Sequence, residues 1–194
     1  MPGPTFLRGD RIDLCPIEEA DLPFVQRTIN DPAVRATLRS SEPKNMRQEE
    51  AWLESLDDQE GETLLVVDAD GDPVGTVGFG DVDGTWGTAE VGYSVAREHW
   101  GNGYATEAVA LVTRYGVEER RLEKLVATVY AHNPASMRVL EKCGWREEAV
   151  LEREAFVDGR RVDCHRYAAF ADDWAPGDDR ARAALAADDD GAED

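Results

Sequence analysis

Gly101 and Gly103 stand one residue apart between an apolar, strand-like run, Val91 to Val95, and a helix-like run from Tyr104 to about Glu118. Glycine admits backbone conformations that turn successive N–H groups to one side, with no side chain in front of them. The start of a helix adds unpaired N–H groups and a partial positive charge, so this junction can hold an anion such as a pyrophosphate. No lysine follows Gly103, which excludes a nucleoside-triphosphatase loop. Thr106 stands where a dinucleotide-binding loop would carry its third glycine. A tight turn used only to reverse the chain is the plain alternative.

The flanking elements follow from periodicity. Thr5 to Cys15 has strand character around a Gly9-Asp10 turn, and Glu18 opens a helix carrying Leu22, Val25 and Ile29 at helical spacing. Asn45 to Leu56 reads as another helix with Ala51, Trp52 and Leu56 inward. Thr63 to Val67, Pro73 to Phe79 and Gly84 to Val95 read as a three-strand antiparallel meander, with a hairpin turn around Asp70-Gly71. After the glycine loop, Ala105, Ala108, Val109, Val112 and Tyr115 form one helical stripe. Lys124 to Tyr130 is a strand buried on both faces. Asn133 and Pro134 suit the cap and first turn of a helix that Gly144 stops. Trp145 to Val157 and Arg161 to Phe170 form a closing hairpin. The expected fold is α+β: a mixed sheet, antiparallel in its N-terminal meander and parallel in its centre, splayed at a ligand slot, with helices on both faces. One domain over residues 1–175 is expected, followed by an acidic, flexible tail over 176–194.

A chain of 194 residues can bury one sizeable core. No apolar run has the length of a membrane span, and Met1-Pro2-Gly3-Pro4 is no signal peptide, so a cytoplasmic location is expected. Cys15, Cys143 and Cys164 lack metal-site or disulfide-framework spacing, and three scattered histidines offer no metal constellation. Asp and Glu number 41 against 21 Lys and Arg, a formal charge of −20. That surface repels nucleic acid and anionic membranes, which are discounted as partners. Adaptation to high salt, where counterions screen self-repulsion, is the expected reason, with stability rising from dilute to molar KCl.

Three segments bring a family into view: Glu90 to Val95, Trp100 to Ala108, and Asn133 to Trp145. Their sequence and order resemble the GNAT superfamily of acetyl-CoA-dependent N-acetyltransferases, over about residues 5–170. The RimJ/RimL type, which acetylates the amino termini of ribosomal proteins, is the subgroup expected. Trp100 stands where the family usually has Gln or Arg, which implies that main-chain amides do most of the pyrophosphate binding.

The resemblance implies roles. Trp100, Gly101, Asn102, Gly103, Tyr104, Ala105 and Thr106 should hold the pyrophosphate. Ser94 and Val95 should bind the pantetheine arm through backbone groups, like an added strand, and their amides could stabilise the oxyanion. Asn133 caps its helix and could also bond the arm. Ser136 could protonate the departing thiolate, a task the family often gives to a tyrosine further along, where nearby Trp145 has no acidic hydroxyl. Arg138 could reach the 3′-phosphate. Glu90 is the first choice for the base that takes the amine's proton, and Glu154 the second. Cys143 is expected to be structural, while Trp52, Trp86 and Tyr93 are candidates to line an acceptor pocket, with core packing the first expectation for any one of them. An α-amino group is about one-seventh neutral at pH 7, a free lysine amine about once in 2,500, so an α-amino acceptor needs only modest base assistance. The expected acceptor is a protein N-terminus, with a small amine (amino acid, polyamine or antibiotic) and a non-catalytic acetyl-CoA-binding protein as alternatives. A homodimer is suggested by analogy alone.

Overall fold

The computed structural model describes residues 2–39 and 42–174. The tail expected over 176–194, and its boundary at 175, lie outside the described residues. Eight strands form one sheet: β1 (Leu7–Arg8), β2 (Ile12–Pro16), β3 (Glu62–Asp68), β4 (Pro73–Asp83), β5 (Thr88–Val95), β6 (Lys124–Tyr130), β7 (Arg146–Val157) and β8 (Arg160–Phe170). Their order across the sheet is β1-β2-β3-β4-β5-β6-β8-β7. Among the described residues β5 and β6 are the parallel pair, and the other neighbours are antiparallel. The parallel centre is therefore narrower than expected, because the closing hairpin places β8, running the other way, on the far side of β6.

The helices are α1 (Leu22–Asn30), α2 (Pro32–Arg35), α3 (Met46–Leu56), α4 (Tyr104–Glu118) and α5 (Pro134–Lys142). Their starts are written in local chemistry. The Asp31 carboxylate accepts from the amides of Ala33 and Val34, and Pro32 occupies the first turn of α2. Asn45 and Gln48 form a reciprocal capping box on α3.

The sheet separates two apolar clusters. On one face α4 and α5 bury Val109, Val112, Leu140 and Cys143 against Leu14, Val77, Val91 and Leu125. On the other, Phe24 and Val25 of α1 cover Cys15, Leu65 and Val67, with Trp52 and Leu53 of α3 alongside. Truncating a side chain such as Leu125 or Leu140 to alanine should cost about 2–5 kcal/mol. Two readings of the helices change. Ala51 is exposed, and α3 turns Glu49 inward with Trp52 and Leu53. Helix α4 is buried all round from Thr106 to Thr113, beyond its expected stripe.

Part of that burial comes from the β1–β2 turn. Glu107, 1 % exposed, accepts from the amides of Asp10 (2.5 Å) and Arg11 (3.0 Å) through Oε1, and its Oε2 lies 3.6 Å from Arg11 Nε. A side chain at Gly9 would collide with this carboxylate. The contact pins the first turn of α4, and with it the glycine loop, to the sheet.

Candidate active site

β5 and β6 pair only from Thr88 with Lys124 to Glu90 with Val126. Beyond that point β5 stays with β4 as far as Val95 opposite Gly75, while β6 stays with β8 as far as Tyr130 opposite Cys164. Each strand follows its own outer partner, and the sheet opens between them. A cleft of about 1020 Å³ begins in that gap.

The register decides which backbone groups face the slot. The Ala96 amide donates to Val74 O at 2.9 Å, so alternate residues of β5, including Ser94 and Gly92, turn their amide and carbonyl toward β4. Val91, Tyr93 and Val95 turn theirs toward the gap. The expectation of a main-chain contact from Ser94 is corrected accordingly, because its backbone is consumed by the ladder. Its hydroxyl meets that of Thr76 at 3.0 Å on the α1–α3 face. Val95 does face the slot, and its carbonyl accepts from the Trp100 indole N–H at 2.8 Å. Trp100 thus supplies a side-chain latch between the loop and the strand end.

The loop has the form the glycines implied. Gly101 and Gly103 have φ of 83° and 73°, in the left-handed region that favours glycine. A side chain on Gly101 would project into open space, so its conformation, not crowding, requires glycine there. The Asn102 side-chain Nδ2 closes the turn by donating to His99 O at 3.1 Å. Gly103 is the N-cap of α4 and offers no side-chain cap, and the first intrahelical bond is that from the Glu107 amide to Gly103 O. Tyr104, Ala105 and Thr106 therefore begin the helix with amides lacking an intrahelical acceptor. This uncapped start of a 15-residue helix lines the cleft, along with Trp100, Gly101 and Gly103. Its dipole and its N–H groups suit a diphosphate.

Helix α5 forms the opposite wall. Asn133 Oδ1 accepts from the Ser136 amide at 3.2 Å, so the residue is a cap, and Asn133, Ser136 and the exposed Arg138 all line the cleft. Tyr93, on the α4–α5 face of β5, brings its phenol oxygen to 2.5 Å from Ser136 Oγ and 3.2 Å from Ser136 O. Burial, only partly offset by the contact with Ser136, pushes this phenol well above the usual tyrosine range. Sequence reading placed Tyr93 as a possible acceptor-pocket aromatic. Strand alternation puts it on the opposite face from Glu90, which was the available signal for a cofactor-side role.

Glu90 lies in the cleft on the other face of β5, where its carboxylate is held by Arg39 at 3.1 Å. Arg39 carried no motif and was not anticipated. The segment around it roofs this end of the cleft: Tyr130 donates to Leu38 O at 3.2 Å, and His132 Nε2 lies 3.0 Å from Ala36 O. A side cavity of about 200 Å³ shares Ile29, Thr76 and Ser94 with the cleft and is lined also by Trp52 and Glu49. Glu154 sits exposed on β7 and Trp86 at 74 % exposure in the β4–β5 turn, neither of them among the cleft residues. Trp145 is buried in the core. Cys143 is fully buried, and burial pushes its thiol up to about 12, so it is structural.

Diverging strands beside an uncapped, glycine-entered helix suit a ligand that joins an extended arm to a diphosphate. The comparisons give the family. Residues 11–146 match the family model described as acetyltransferase (GNAT) domain, and the chain belongs to this family. It is 26% identical over 174 residues to the uncharacterized N-acetyltransferase p20 of Bacillus licheniformis, covering 87% of this chain and 98% of that protein. It is 26% identical over 159 residues to the spermidine N(1)-acetyltransferase of Vibrio cholerae, covering 81% of this chain and 92% of that enzyme. The crystal structure of spermidine N-acetyltransferase from Vibrio cholerae in complex with CoA and spermine has the same fold, with a TM-score of 0.80, 24% identity, and coverage of 84% of this chain and 98% of that one. The protein is an N-acetyltransferase that uses acetyl-CoA. Among its described residues no helix is long and apolar enough to cross a membrane.

Proposed function

We propose that the acceptor is a small, multiply charged primary amine of the polyamine class, and not the protein N-terminus that the RimJ/RimL resemblance implied. The observation that carries this reading is the roof over the acceptor end. Residues 36–39 are tied to Tyr130 of β6, to His132 just beyond it and to Glu90 of β5, which suits a small amine better than a polypeptide chain. The likeness to spermidine N(1)-acetyltransferases over four-fifths of the chain supports the same class.

In this mechanism the substrate's cationic nitrogen displaces Arg39 from Glu90, whose carboxylate then accepts the proton the nitrogen loses, directly or through a water. A polyamine amine resembles lysine in acidity, so the neutral fraction at pH 7 is only about one in 2,500 and the base carries more of the task than it would for an α-amino group. Nitrogen attacks the thioester carbonyl, the slot-facing amides of β5 receive the developing oxyanion, and the carbon–sulfur bond breaks. Trp100 to Thr106 seat the pyrophosphate, Val95 and Asn133 meet the pantetheine arm, and Arg138 meets the 3′-phosphate. The reading includes a cytoplasmic enzyme working at high salt, in line with the charge of −20.

The test is a thiol-release assay in molar KCl with acetyl-CoA against spermidine, spermine, single amino acids and peptides with free N-termini. Spermidine or spermine should give the highest kcat/KM, by at least about tenfold over peptides. A peptide turned over faster than either polyamine would overturn the reading.

A further inference from the structure

Tyr93 and Ser136 each carry one hydroxyl hydrogen, and their oxygens are 2.5 Å apart, with Ser136 O at 3.2 Å from the phenol. Two arrangements satisfy these distances. In the closed one the serine donates to the phenol and the phenol donates to Ser136 O, so that neither hydrogen reaches the slot. In the open one the phenol donates to Ser136 Oγ and the serine hydrogen is released. Both residues line the cleft beside the amides of β5 that face the gap.

We propose that Tyr93 is a positioning residue for acyl transfer: by donating to Ser136 Oγ it leaves the serine hydrogen directed into the slot, where it meets the sulfur as the carbon–sulfur bond breaks. This rests on reading Ser136 as the partner of the departing thiolate. The balance is complete without a proton from either hydroxyl. The carbon–nitrogen bond forms, the carbon–sulfur bond breaks with its electron pair on sulfur, and the amine's proton, taken up at Glu90 or water, finally neutralises the thiolate. An alkyl thiol titrates near 8.5 and an ordinary phenol near 10. Burial takes Tyr93 further from the thiol, so its hydrogen stays on oxygen. Ser136 thus acts on the sulfur as a hydrogen-bond donor, in place of the proton donor expected from the sequence. The negative sulfur selects the open arrangement because only that one supplies a charge-assisted bond.

The test titrates the thiol of bound CoA by its thiolate absorbance in the wild type, Tyr93→Phe, Ser136→Ala and Ser136→Thr. The chain's own cysteines are buried with thiols pushed up by that burial. In the wild type the bound thiol should titrate about one to two units below free CoA. Tyr93→Phe should return it by about one unit and lower kcat about tenfold, with KM for acetyl-CoA within twofold. Ser136→Ala should abolish the shift, and Ser136→Thr should restore most of it. A bound thiol that titrates like the free coenzyme in the wild type, or a shift that survives Tyr93→Phe or Ser136→Ala, would overturn the proposal. Ser136→Ala removes the contact from the helix side, so the result stands even if Tyr93→Phe does not fold. Absence of CoA binding at any ionic strength would instead remove the cofactor site and this proposal with it.

Discussion

The two halves of the cleft are built from different materials. The half proposed to take the coenzyme is made mostly of main chain: the slot-facing groups of β5, two left-handed glycines and the bare amides at the start of α4. The half proposed to take the amine is made of contacts between segments far apart in sequence, with Arg39 against Glu90, Tyr130 against Leu38 and His132 against Ala36. Backbone dipoles are fixed by the fold and do not depend on which residues decorate it. In a protein at −20 they also provide local positive potential without adding a cation. Side-chain walls can be exchanged without disturbing the sheet, so acceptor specificity can change while the coenzyme seat stays constant.

The sharpest way to break this contrast is Gly101→Val. A branched residue at φ 83° strains the loop, although its side chain would project into open space. CoA affinity by calorimetry should fall about a thousandfold, while the fold and the acceptor pocket persist. An unchanged affinity would mean that the diphosphate is not seated there. Next in size is Glu90→Gln, which should lower kcat/KM for spermidine about a hundredfold at pH 7 with CoA binding intact. A wild-type profile across pH 6–9 would remove Glu90 from proton transfer. Arg39→Ala acts on the same carboxylate from the other side. Freed of its exposed partner, Glu90 should hold a cationic amine more tightly, lowering KM for spermidine a few-fold.

The same contrast explains what could be read from the sequence. The glycine loop, the helix cap at Asn133, and the order of elements depend on local chemistry, where residue type and spacing are the whole signal. The narrow parallel pair was harder to see, because the direction of β8 beside β6 depends on how the hairpin closes and not on any run of residues. Ser94 was misassigned because the choice between facing β4 and facing the gap turns on a one-residue register, and period-two alternation is blind to which partner a backbone group takes. Arg39 and the Tyr93–Ser136 contact were illegible for another reason. They join positions 51 and 43 residues apart through geometry that only the assembled sheet creates.

Two buried glutamates carry the comparison into stability, with the smallest expected effect. Glu107, beside the glycine loop, receives two backbone amides at Oε1, while its buried Oε2 faces Arg11 without a hydrogen-bond partner among the described residues. Glu49, beside the side cavity, is 3 % exposed. Burial raises its pKa, with Lys44 acting weakly in the opposite sense. A carboxyl group whose folded value lies above its unfolded one binds more protons in the folded state. Its contribution to stability is therefore complete below about pH 4.3 and is lost as pH rises through the folded value. Glu49→Gln cannot ionise and should escape that loss. Denaturant unfolding in molar KCl should show the variant gaining on the wild type as pH rises from 4, then running parallel to it once Glu49 is fully charged. A difference independent of pH would mean that Glu49 ionises as readily in the folded chain as in the unfolded one, and burial of its side chain would then carry no electrostatic cost.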